Sequence, residues 1–76
     1  MILERLKKVY EAITGRTAGE FSESSLLKED LEMDSVLMLY MAIALEEEFS
    51  ITVDNTIVNS VKTVGDMIRY IEEKQA

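Results

Sequence analysis

Ten consecutive apolar residues, Val36 to Leu45, occupy the middle of a 76-residue chain, and Glu46-Glu47-Glu48-Phe49 closes them. That run is about half the ~20 residues a bilayer-spanning helix needs. Read as a helix from Ser35 to Phe49, it carries apolar side chains nearly all round. Helical steps back from Phe49 give Leu45, then Ala42 or Met41, then Met38 or Leu39 for an inner face. A chain this short buries only about 60% of the surface it exposes when unfolded. It cannot enclose every side of such a helix. Some of Leu37, Met38, Tyr40, Met41 and Ile43 must face solvent or a partner, unless the preceding loop covers them.

The start of the run is marked by Asp34-Ser35. Asp34 is a good N-cap, because its carboxylate can accept orphan amide hydrogens of the first turn. Ser35 then sits at the positive end of the helix dipole, a favourable place for a phosphate group. As a catalytic nucleophile Ser35 lacks a base, since the chain has no His and no Lys lies close in sequence. With neither His nor Cys, the usual zinc sites and thiol chemistry are excluded. Asp30, Glu32 and Asp34 alternate like part of a calcium loop. An EF-hand loop starting at Asp30 needs Gly sixth and Glu twelfth, where Ser35 and Met41 stand, so no metal site and no catalytic residue is expected.

Around this helix the chain reads as further helices. Ile2, Leu6, Val9 and Ile13 recur at helical spacing with Leu3 and Tyr10 alongside, and Gly15 is the natural stop. From Arg16 to Met33 no period is sustained; Gly19, Ser22, Ser24 and Ser25 are turn residues, and Phe21, Leu26, Leu27 and Leu31 are the expected anchors of a long loop. Ser50 to Val53 reads as extended loop, and Asp54-Asn55 caps a short helix from Thr56 to Ser60. Thr63 and Asp66 form a capping box for a last helix, Val64 to about Lys74, with Met67, Ile68 and Ile71 inside and Val64 and Tyr70 partly inside. The expected fold is all-α: a small four-helix bundle spanning residues 1–76 as one domain, with three longer helices, a short third one, and a long loop between helices 1 and 2. No targeting segment is legible at the start, so the cytoplasm is the expected location.

Net charge is −7 with a pI near 4.4, which argues against nucleic acid as a partner. Thr17 to Asn55 holds ten acids and one base, Lys28, a net −9; the remainder has five acids and seven bases, a net +2. Such a split is either a solvated acidic surface or a field that steers basic partner surfaces toward Ser35.

Three segments carry a family likeness. Glu29-Asp30-Leu31, Asp34-Ser35-Val36 and Met41 through Phe49 resemble the acyl carrier protein signature, with supporting similarity at Ile2–Val9 and from Thr63 to the end. The resemblance implies a non-enzymatic carrier whose Ser35 bears a covalent 4′-phosphopantetheine arm, with Asp34 adjacent as the cap. A phosphopantetheinyl transferase would attach the arm from coenzyme A, and acyl groups would ride on its thiol as thioesters. Acyl-loading and acyl-using enzymes of fatty-acid, lipid or polyketide-type synthesis, with basic or apolar docking surfaces, are the implied partners of a monomer that engages no membrane. The expected docking face is Leu37, Met38, Tyr40 and Met41 with Glu46 and Glu47. An aminoacyl or peptidyl carrier, or an acidic helical interaction module that is never modified, are the alternatives. The chain departs from the family pattern at four places. Leu37 and Tyr40 stand where acids are usual, Glu32 where Gly is usual, and Val53-Asp54-Asn55 replaces Ile-Pro-Asp. Losing the two acids points to a specialised carrier with its own partners.

Overall fold

The computed structural model describes residues 1–54 and 56–76, and within them the chain forms four helices: α1 Ile2–Thr14, α2 Ser35–Phe49, α3 Ile57–Ser60 and α4 Val64–Gln75. The all-α reading holds. Among the described residues the sole β pairing is an isolated antiparallel bridge between Leu26 and Thr63. No helix among them is long and apolar enough to cross a membrane.

Helix α1 forms as its periodicity predicts, with Leu6, Val9 and Tyr10 in the core and Ile2, Leu3 and Ile13 half-buried against it. Gly15 ends it in the left-handed region, φ 70°, where its N–H donates to the Glu11 carbonyl at 2.9 Å. Arg5 joins this helix to the far end of α2. Its guanidinium meets the Glu48 carboxylate at 2.9 Å, donates to the Glu48 carbonyl at 2.5 Å, and lies 4.4 Å from the Phe49 ring centroid. The ion pair alone is exposed and contributes little. The carbonyl bond matters more, because it satisfies an orphan acceptor of the last turn of α2.

The core runs between α1, α2 and α4, with α3 closing its lower side through Ile57; Leu6, Met41, Leu45, Ile57, Val64, Met67 and Ile71 are fully buried. Helix α4 starts with the capping box read from the sequence. The Thr63 hydroxyl accepts from the Asp66 amide at 3.0 Å, and the Asp66 carboxylate accepts from the Thr63 and Lys62 amides at 3.2 and 3.1 Å. Val64 is fully buried where partial burial is expected, and Ile68 is only half-buried. Ahead of α3, the Asp54 carboxylate accepts from the Thr56 amide at 3.1 Å and from its hydroxyl. Asn55, paired with Asp54 as a cap in the sequence reading, lies outside the described residues.

The long loop is held by more than apolar anchors. Leu27, Leu31, Met33 and Ala18 are buried and Phe21 packs on Tyr10 at 5.7 Å between rings, but Leu26, expected as an anchor, is exposed. Leu26 instead contributes backbone to the bridge with Thr63. Either side of it the loop pairs with the start of α4. The Leu27 amide donates to the Lys62 carbonyl at 3.0 Å, and the Val64 and Gly65 amides donate to the Ser25 and Glu23 carbonyls at 3.0 and 2.8 Å. Two orphan amides of α4 are satisfied this way. The approach favours glycine, since a Cβ on Gly65 would stand 3.0 Å from the Glu23 carbonyl oxygen, a contact tighter than most.

Asp66 titrates below the ordinary carboxylate value of 3.8, chiefly because the Lys62 amide bonds its charged form, with Thr63 and Arg69 adding to that. A depressed folded-state value means stability that is present above the unfolded value and lost as pH falls through the folded one. Asp66→Asn should therefore be less stable than wild type near neutral pH, and the gap should close as pH drops below 3.8. Urea midpoints measured from pH 7 to pH 2.5 check this; a gap that stays constant contradicts it.

Candidate functional site

Ser35 is the first residue of α2, exposed to solvent, and Asp34 precedes it with extended backbone, φ −93° and ψ −177°. The Asp34 carboxylate accepts from the Leu37 amide at 2.8 Å, so the cap forms as the sequence predicts. The first turn holds no further acid, leaving the positive end of a fifteen-residue helix facing the surface at Ser35.

What aims Ser35 is the segment just before it. The Leu31 carbonyl accepts two hydrogen bonds from the α1 side, from the buried Tyr10 hydroxyl and the Arg16 guanidinium, both at 3.1 Å. Arg16 also reaches the Glu32 carbonyl at 3.5 Å. The Met33 amide donates to the Leu27 carbonyl at 2.9 Å, and the Met33 side chain is sunk in the core. Asp30 accepts from the Leu26 amide at 2.8 Å, so part of the acidic run serves the loop's own turn. The chain is thus fixed at Leu31, Glu32 and Met33 and emerges at Asp34 and Ser35. Glu32 makes this turn with φ 54°, in the left-handed region. Here the family's usual glycine has a physical reason, because a Cβ in that region costs about 1–2 kcal/mol.

Beside Ser35 lies a groove of about 370 Å³ between the loop, the start of α2 and α3. Its lining includes Met33, Met38, Val58 and Val61, with the exposed Lys28 and Lys62 also on it. Ser35 therefore shares this groove with two basic residues, one of them, Lys28, in the otherwise acidic loop. Lys62 belongs to the part of the chain with the opposite charge balance, and the backbone pairing of Ser25–Leu27 with Lys62–Val64 brings it here.

The expected docking face needs correction. Met38 and Met41 are buried, Met38 meeting only the groove beside Ser35, so neither belongs to the exposed face of α2. Leu37 and Glu46 are half-buried, and the Glu46 carboxylate accepts from the Val53 amide at 2.9 Å, tying the loop after α2. Tyr40 and Glu47 are exposed. The apolar surface of α2 is instead Val36, Leu39, Tyr40 and Ile43, at 57, 46, 56 and 59% exposure. The long loop does not cover them, because its apolar side chains turn into the core around Leu31 and Met33. Sequence reasoning also missed Tyr10, Arg16 and Lys62. Tyr10 carried a signal, a hydroxyl on an otherwise apolar stripe; the other two depend on folding alone.

The family profile described as Phosphopantetheine attachment site matches residues 4–71. An acyl carrier protein of Sinorhizobium fredii (strain NBRC 101917 / NGR234) is 36% identical over 75 residues, 99% of this chain and 96% of that protein. The acyl carrier protein AcpP of Rhizobium meliloti (strain 1021) is similar to the same extent, 36% over 75 residues and the same shares of both chains.

Glu32→Gly should stabilise the fold by about 0.5–1 kcal/mol, the left-handed penalty less the added freedom of the unfolded chain. Equilibrium urea unfolding measures it, and an unchanged or lower midpoint would show that the turn carries no strain.

Proposed function

This chain belongs to the acyl carrier protein family, with a phosphopantetheine attachment domain, and from that premise we propose that Ser35 is its attachment residue and that it serves a specialised pathway. Proteins of this family are carriers, not catalysts, and hold a covalently attached 4′-phosphopantetheine. The arm supplies the thiol that a Cys-free chain lacks, and acyl groups are carried on it as thioesters.

The observation that carries the assignment is the placing of Ser35. Its hydroxyl is exposed on a short stem at the start of a capped helix, so a phosphopantetheinyl transferase can bring coenzyme A to it. The residues around it fit the group. A phosphodiester on Ser35 would lie at the positive end of α2, on a groove that Lys28 and Lys62 also line. Asp34 holds the first turn in place. Transferase and transfer enzymes would supply metal and base, so this chain needs neither. The protein works as one monomeric domain in the cytoplasm, presenting acyl groups to enzymes of fatty-acid, lipid or polyketide-type synthesis.

Intact mass after incubation with coenzyme A, Mg²⁺ and a broad-specificity phosphopantetheinyl transferase tests the assignment. Wild type should gain one phosphopantetheine and a titratable thiol, and Ser35→Ala should gain neither. No gain in wild type, repeated with any cognate transferase, would favour an unmodified interaction module.

The specialised role rests on Leu37 and Tyr40 standing where the family usually has acids. Leu37 is the third residue of α2, where an acid suits the helix dipole, and Tyr40 is exposed, so the double change Leu37→Asp with Tyr40→Glu should fold. It should raise turnover by general fatty-acid synthase enzymes several-fold. Unaltered kinetics with those enzymes would remove the ground for a specialised partner set.

A further inference from the structure

The pairing that joins the long loop to the start of α4 sets the backbone of two exposed lysines side by side. The Leu27 amide, next to Lys28, donates to the Lys62 carbonyl at 3.0 Å. Both lysines line the groove of about 370 Å³ that Ser35 also lines. The chain has fifteen acids against eight Lys and Arg, yet neither lysine is paired. Among the described residues the ion pairs are Arg5 with Glu48 and Arg69 with Asp66. The neighbouring aspartates are committed to backbone amides: Asp66 accepts from Lys62 and Thr63, Asp34 from Leu37, and Asp30 from Leu26.

We propose that Lys28 and Lys62 form an anion clamp for the phosphodiester at the root of the arm on Ser35, and that this clamp lays the first part of the arm in the groove. The inference rests on the reading of Ser35 as the attachment residue. Two like charges set side by side repel each other, and an anion between them relieves that repulsion. Each ammonium rides on a flexible four-carbon stem, so it can follow a phosphate fixed at Ser35. Glu29 and Asp34 also line the groove, and without the lysines they would repel a phosphodiester. Just beyond its phosphate the arm carries geminal methyls, for which Met33, Met38, Val58 and Val61 provide an apolar floor.

The other anion that Ser35 could deliver is a carboxylate at the far end of an acyl cargo. Reaching the lysines would require the whole arm to fold back on its own root, whereas the phosphate is beside Ser35 from the moment of attachment. Both lysines are exposed, so each contact is weak and screened by salt. The clamp therefore biases where the arm rests and still releases it to an enzyme.

The test is NMR on the carrier with its arm in the thiol form, after intact mass has shown the arm in place. At about 0.05 M NaCl, nuclear Overhauser effects should link the arm's geminal methyls to the side chains of Met38, Val58 and Val61. Lys28→Gln with Lys62→Gln, and separately about 0.5 M NaCl on wild type, should each weaken them at least about twofold. Lys28→Arg with Lys62→Arg should keep them. Both positions are exposed, so the unmodified variants should melt within a few degrees of wild type. Effects absent from wild type at low salt, or undiminished in the glutamine variant, overturn the proposal. Wild type loaded with hexanoyl or hexanedioyl groups separates the two anions. Lysine Cε resonances that move on attachment of the bare arm, and equally with either cargo, support the phosphodiester. Movement with hexanedioyl alone overturns it in favour of a cargo carboxylate. No mass gain removes the Ser35 assignment and this proposal together, whereas normal gain with unmoved lysine resonances removes this proposal alone.

Discussion

The start of α2 depends on one acceptor, the Leu31 carbonyl, held at once by the Tyr10 hydroxyl and the Arg16 guanidinium. A loop of this length in so small a domain has much conformational freedom to lose, and surface side chains alone would not remove it. A carbonyl bonded to a buried hydroxyl and to a charged donor is a firmer tether, since hydrogen bonds to ionised groups are the stronger kind. Three residues later Asp34 caps the helix, and the intervening backbone has little slack. The orientation of Ser35 is thus set from α1.

The same loop serves two helices. On one side it is clamped to α1 through Leu31; on the other its backbone completes the first turn of α4 through Glu23 and Ser25. Gly65 permits that contact by lacking a Cβ, and the bridge it belongs to carries Lys62 toward Ser35. One set of backbone pairings therefore builds both the fold and the electrostatic setting of the site. The two positive-φ residues flanking α2, Glu32 before it and Ser50 after it, mark where the chain must turn sharply to reach and leave this helix.

Helix α2 divides its apolar surface between two uses. Met38, Met41, Leu45 and Phe49 fill the core, while Val36, Leu39, Tyr40 and Ile43 stay outside. A domain of this size has neighbours for one side of its central helix only, with α1 on it at one flank and α3 at the other. The side left over carries Ser35 at its edge. Its acids are divided too: Glu46 holds the following loop, Glu48 holds Arg5, and Glu47 remains in solvent. An acidic triplet that reads as one patch in the sequence is three separate groups in the fold.

The sequence by itself determined the helices, their caps and the serine. Those features are local: periodicity, a glycine stop, Asp34 three residues from Leu37, and Thr63 three from Asp66 all act within one or two turns. It also showed that α2 had more apolar surface than so short a chain could bury. Which side would be buried was decided by tertiary structure. With apolar residues all round α2, periodicity gave it no preferred face, so Met38 and Met41 could be read as surface residues although they belong to the core. The clamp on Leu31 and the arrival of Lys62 also waited on folding. Both join segments far apart in sequence, and each ends on a backbone carbonyl, a group that is the same in every residue, so no side-chain pattern says which carbonyl is the acceptor.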